Sequence, residues 1–155
     1  MRVLAVAIGG LLRAVGAGAL FWGVFPLWLC LFWSVQGYPP TLSDLGRWYA
    51  IGAFNAAPIL ATVGTTPVIL LLTWLLRQRV RVLGKRGGVI PLFSACLYAL
   101  LVPPIAYALL LMYAAMWQYR AWDAMLLTLA RAYGLLGGAA FVVGWLLGWS
   151  VRSSG

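Results

Sequence analysis

Residues 49–76 run for 28 positions without a charged side chain. About 20 apolar residues suffice to cross the hydrocarbon core of a bilayer as a helix, where every backbone polar group must find its partner inside the segment. Residues 14–35 and 89–117 form two more uncharged runs, and residues 124–150 form a fourth, interrupted only by Arg131. Four such runs constrain the chain to an all-α membrane fold. The expectation is a four-helix transmembrane bundle making one domain over residues 1–155, with spans at 14–35, 49–76, 89–117 and 124–150. Composition agrees, since 65% of the residues are hydrophobic and 8% charged, against about half and about a quarter in soluble domains.

Orientation follows from the basic residues. The segment 77–88, RQRVRVLGKRGG, places Arg77, Arg79, Arg81, Lys85 and Arg86 between the second and third runs. Lys and Arg are retained on the cytoplasmic side during insertion. Arg2, Arg13 and Arg152 fall on the same side of the membrane as that segment. The opposite side carries Arg47 and Arg120, offset by Asp44 and Asp123. Both termini are therefore expected to be cytoplasmic, in a membrane of the bacterial inner-membrane type. The net charge of +9 gathers at membrane boundaries, so anionic lipid headgroups are the expected electrostatic partner rather than nucleic acid.

The punctuation between runs is specific. Gly37, Pro39 and Pro40 end the first run, and Thr41-Leu42-Ser43-Asp44 reads as a helix start, with a hydroxyl cap and a carboxylate in the first turn. Residues 1–12 read as an interfacial start to the first helix. The over-long second run implies tilt, an interfacial end or a break, with Pro58 and Pro67 as the break points if it breaks, and Pro103-Pro104 kinks the third. Around the first pair lie Asn55, Thr62, Gly64, Thr65, Thr66 and Thr73, the most polar stretch at membrane depth. Cys30 and Cys96, expected at different depths, read as unpaired buried small side chains.

Candidate working residues fall into two sets. Gly134 with Gly138, and Gly144 with Gly148, have the four-residue spacing of close-packed membrane helices. Gly137, Ala140, Gly144 and Gly148 form a small-residue stripe. The second set is polar: Asn55, Thr62, Thr65 and Arg131 are the candidates for a polar pathway or a partner contact, Arg131 because a charge below the headgroups is costly. A further pattern is an 84-residue offset relating Trp33 to Trp117, Arg47 to Arg131 and Tyr49 to Tyr133, the trace expected of a duplicated hairpin.

Enzyme chemistry is poorly supplied. There is no histidine and there are only two acidic residues, which removes His general bases, His-ligated haem and the usual zinc sites. No cofactor or metal is expected. What remains is a protein that works by binding other membrane helices, as a subunit of a membrane complex or secretion system or as an immunity protein against a pore-forming toxin. A homo-oligomeric channel, carrier or lipid flippase is the alternative.

Overall fold

A computed structural model describes the backbone of residues 2–50, 52–82, 88–113 and 122–153, and the side chains of residues 7–49, 56–80, 88–109 and 130–150. The described residues form five helices: α1 Arg2–Val35, α2 Leu42–Ala50, α3 Gly52–Val82, α4 Val89–Tyr113 and α5 Trp122–Ser153. Four are long and apolar enough to cross a membrane, over Ala7–Val35, Ala56–Val80, Val89–Leu109 and Ala130–Ser150. Their pairing closes a ring in which α4 lies between α3 and α5 while α1 rests on α3 and α5. The α4–α5 contact is the most extensive.

The boundaries differ from expectation in three places. Residues 2–12 do start the first helix, but its apolar span begins at Ala7 and runs through Arg13, because one arginine, a good helix former, does not interrupt an apolar helix. Tyr49 lies on α2, outside the apolar span, which begins at Ala56 in α3. Neither Pro58 nor Pro67 breaks α3, which continues to Val82 and carries Arg77, Arg79 and Arg81 on its last turns. Basic side chains suit that C-terminal end, where the helix dipole is negative. Residues 77–82 of the basic segment are thus helix.

The ends of α1 and α2 show local chemistry at work. Gly37 takes a φ of +86°, its amide bonds the Ser34 carbonyl at 3.1 Å and the Tyr38 amide bonds the Trp33 carbonyl at 3.0 Å. This paired bonding stops α1 at a left-handed glycine. Thr41 then caps α2 as its sequence suggests. The Asp44 carboxylate accepts from the Thr41 amide at 2.9 Å and from the Thr41 hydroxyl at 2.7 Å, the reciprocal capping arrangement. Those bonds from Thr41, with Arg47 nearby, hold the Asp44 carboxyl below its ordinary pKa. Helix α2 folds back on α1, where the Tyr49 hydroxyl donates to the Gly23 carbonyl at 2.8 Å and the Tyr49 ring meets Trp22 edge-on.

The core mixes alanines with larger apolar side chains. Ala17, Ala61, Ala106, Ala139 and Ala140 are buried among Phe21, Phe25, Ile69, Tyr98, Val102 and Val143. Lipid tails are as apolar as leucine, so burial alone does not hold membrane helices together. Close backbone approach and hydrogen bonds between helices take that role, and both are present.

Candidate functional site

Two seams meet along α4. The first joins α4 to α5. A Cβ added at Gly144 would lie 2.7 Å from the Tyr98 ring, 2.8 Å from the Ala95 Cα and 2.8 Å from the Ser94 carbonyl oxygen. One added at Gly148 would lie 2.5 Å from the Pro91 Cα. These glycines are spent on backbone contact with α4 of the same chain. Further along α5 the partner changes to α1. The Trp28 ring lies over Gly138, and the Phe32 ring reaches Gly134 at 3.6 Å. The Trp28 indole Nε1 donates to the Gly134 carbonyl at 3.2 Å. Ala140 is fully buried in the core, whereas Gly137 has open space where a side chain would stand.

The second seam joins α3 to α4. Thr62, Thr65, Thr66 and Thr73 are all buried. The Thr62 hydroxyl donates to the Pro58 carbonyl at 2.7 Å, that of Thr65 to Ala61 at 2.8 Å, and that of Thr73 to Ile69 at 2.6 Å. The Thr66 hydroxyl donates to the Thr62 carbonyl at 2.7 Å, which leaves its oxygen to accept from the Tyr98 hydroxyl, also at 2.7 Å. Among the described residues no buried side-chain polar atom lacks a partner. The threonines therefore form a closed set inside the bundle. They take their hydrogen bonds from the helix itself, the usual outcome for Thr in a membrane helix.

The prolines of α4 show the same economy. Pro104 has no N–H, so the Leu100 carbonyl loses its helical donor. The Tyr133 hydroxyl of α5 donates to that carbonyl at 3.0 Å. Tyr49 and Tyr133 thus each bond a carbonyl of the long helix before them. Their settings differ, however: Arg47 and Tyr49 sit on short α2, and Arg131 and Tyr133 on long α5.

Arg131 is exposed on α5. It sits one turn from Gly134, which meets Phe32 near the C-terminal end of α1. Arg77 is half-buried and Arg79 exposed at the basic end of α3. There Arg79 lines an open hollow of about 600 Å³ with Leu75, Leu76 and Gln78. A second hollow, of about 390 Å³, lies at the opposite end among Trp33, Tyr38, Pro39, Pro40, Asp44 and Trp48. Cys30 and Cys96 are both free, and Cys96 is exposed on α4 where burial was expected. The side chains of Asn55 and Arg81, together with Lys85 and Arg86, lie outside the described residues, as do the side chains of Trp117, Tyr119, Arg120, Trp122, Asp123 and Arg152.

Sequence reasoning missed two residues that the fold uses: Trp28 and Tyr98. Nothing in spacing separates Tyr98 from Tyr107, or Trp28 from the other tryptophans. Comparison with known proteins finds no matching family, no similar curated protein and no similar solved structure.

Proposed function

We propose that this chain is a non-enzymatic multi-pass protein of the bacterial inner membrane, with both termini cytoplasmic, that acts by binding other membrane helices. It serves either as a subunit of a membrane complex or secretion system or as an immunity protein that blocks a pore-forming toxin within the bilayer. The observation that carries this reading is the closed polar interior. The hydroxyls of Thr62, Thr65, Thr66 and Thr73 are committed to carbonyls of α3, and Tyr98 completes the set. An interior of this kind has its described hydroxyl donors already committed, so a solute finds none of them free to replace its water. The surface left to do work is the one facing lipid. Orientation in this reading rests on the basic end of α3, with anionic headgroups as the electrostatic partner of Arg77 and Arg79.

The test is purification of tagged full-length protein in a mild detergent, with native mass analysis of the intact complex. The expected result is a second membrane protein in fixed stoichiometry. The reading fails if the protein is recovered only as a homo-oligomer, and if cysteines placed at Thr62 and Thr65 are modified by a water-soluble thiol reagent. That pair of results establishes a water-filled pathway and the homo-oligomeric channel, carrier or flippase.

A further inference from the structure

The open hollow past the end of α1, about 390 Å³ in volume, is walled by Trp33, Tyr38, Pro39, Pro40, Asp44 and Trp48. The apolar span of α1 ends at Val35 and that of α3 begins at Ala56, so most of these residues lie between two spans. Phe32, next to Trp33, meets Gly134, one turn from the start of the α5 span at Ala130. Two helices thus put the hollow where apolar side chains give way to headgroups, the level at which Trp and Tyr collect.

Local folding builds the walls. The left-handed Gly37 turns the chain so that the Tyr38 amide bonds the Trp33 carbonyl. The rings of Trp33 and Tyr38 then meet at 78°, with centroids 6.5 Å apart. Tyr38 is 70% exposed, so its ring is not used by the core. Aromatic faces attract organic cations, alkylammonium groups above all. Asp44 adds a carboxylate to the same hollow. Its Oδ2 takes both bonds from Thr41, and no described residue bonds Oδ1. The Thr41 bonds keep the group ionised at neutral pH.

Arg47 decides which cation fits. It stands three residues after Asp44, on the same face of α2. It is exposed and makes no hydrogen bond or ion pair with any described residue. A simple cation at Asp44 is opposed by that guanidinium. A molecule carrying its own anion beside its cation is not. The side chains three apart on a helix are about 5–6 Å apart at Cβ, and the ammonium and phosphate of a zwitterionic headgroup are joined by a link of similar reach.

We propose that this hollow holds the headgroup of a zwitterionic phospholipid, its alkylammonium group against Trp33, Tyr38 and Asp44 and its phosphate at Arg47. Both ends make charge-assisted bonds, and a guanidinium suits phosphate oxygens in particular. The site lies apart from the helix faces invoked for partner binding and does not depend on that reading.

The test titrates the full-length protein in a mild detergent with phosphatidylethanolamine and, separately, with phosphatidylglycerol, which keeps the phosphate and lacks the ammonium. Native mass analysis reads the lipid-bound fraction. Tyr38→Leu and Asp44→Asn each lower the affinity for phosphatidylethanolamine about fivefold, and neither lowers that for phosphatidylglycerol. Arg47→Gln also lowers the affinity for phosphatidylethanolamine. Tyr38 and Arg47 are exposed, so their variants keep the fold, which circular dichroism verifies. Wild-type affinity for phosphatidylethanolamine in Tyr38→Leu and Asp44→Asn overturns the proposal, as does an equal loss of phosphatidylglycerol. Tighter binding by Arg47→Gln overturns it too, because the site then takes a cation without a phosphate. Displacement of the lipid by soluble phosphoethanolamine at equal concentration overturns the lipid as occupant in favour of a free zwitterion.

Discussion

The two seams along α4 hold helices together by opposite means. Against α5, contact is made by absence: Gly144 and Gly148 let the backbone of α4 approach so closely that one added carbon meets Pro91, Ala95 or Tyr98. Against α3, contact is made by a polar bond between Thr66 and Tyr98, set in a row of threonines that otherwise bond their own helix. Tyr98 belongs to both, since its ring faces Gly144 and its hydroxyl faces Thr66. Steric fit against a backbone is all-or-none, because the backbone cannot rotate away. A hydrogen bond between side chains is replaceable, because each hydroxyl can turn to a carbonyl of its own helix. The seams should therefore respond very differently to substitution.

The largest effect is expected at Gly148 and Gly144. Leucine at either position has to displace the α4 backbone at Pro91 or Ala95. Overpacking costs about 1–3 kcal/mol where side chains can adjust, and here the obstacle is main chain, so each variant should lose about 3 kcal/mol or more. Unfolding by dodecyl sulfate titration in mixed micelles checks this, with far-ultraviolet circular dichroism confirming that the helices still insert. A stability near that of wild type in both variants would mean that α4 and α5 do not pack as described.

Four long apolar helices, the Thr41–Asp44 cap and the close-packing role of Gly144 and Gly148 were all legible in the sequence, because each follows from residue type and local spacing. The course of α1 was not. A single charge at Arg13 looks like the boundary of a span, yet the apolar span of α1 begins at Ala7 and runs through it. Pro58 and Pro67 looked like breaks, yet a helix held by neighbours tolerates missing donors. The threonines were visible as a polar group, but their side-chain bonds are set by rotamer and by the place of Tyr98, which spacing does not encode.

The α3–α4 seam gives the intermediate effect. Tyr98→Phe removes the hydroxyl that donates to Thr66 and leaves the ring against Gly144. Thr66 keeps its bond to the Thr62 carbonyl, so no buried donor is orphaned. Hydrogen bonds between membrane helices average about 0.6 kcal/mol and reach about 1.7 at most. The loss should fall in that range, and Thr66→Val combined with Tyr98→Phe should cost little more than Tyr98→Phe alone. A double variant whose losses simply add would show that the two hydroxyls do not bond each other.

The smallest effect should come from Gly137, and it is the most telling about why glycines matter here. Gly137 belongs to the same stripe as Gly144 and Gly148 by sequence, and it neighbours Gly138, over which the Trp28 ring lies. An added Cβ at Gly137 meets nothing within 4 Å. Gly137→Ala should then leave unfolding unchanged or raise stability slightly, since alanine is favoured over glycine in a helix by up to about 1 kcal/mol. If the α5 glycines acted as a flexible or uniformly slim face, Gly137→Ala would cost about as much as Gly144→Ala. If each acts through what lies opposite, the two variants separate, with Gly144→Ala driven against Ala95 and Ser94 and Gly137→Ala silent. The pair, read side by side in the same unfolding titration, decides whether membership of the stripe or the neighbouring backbone sets the need for glycine.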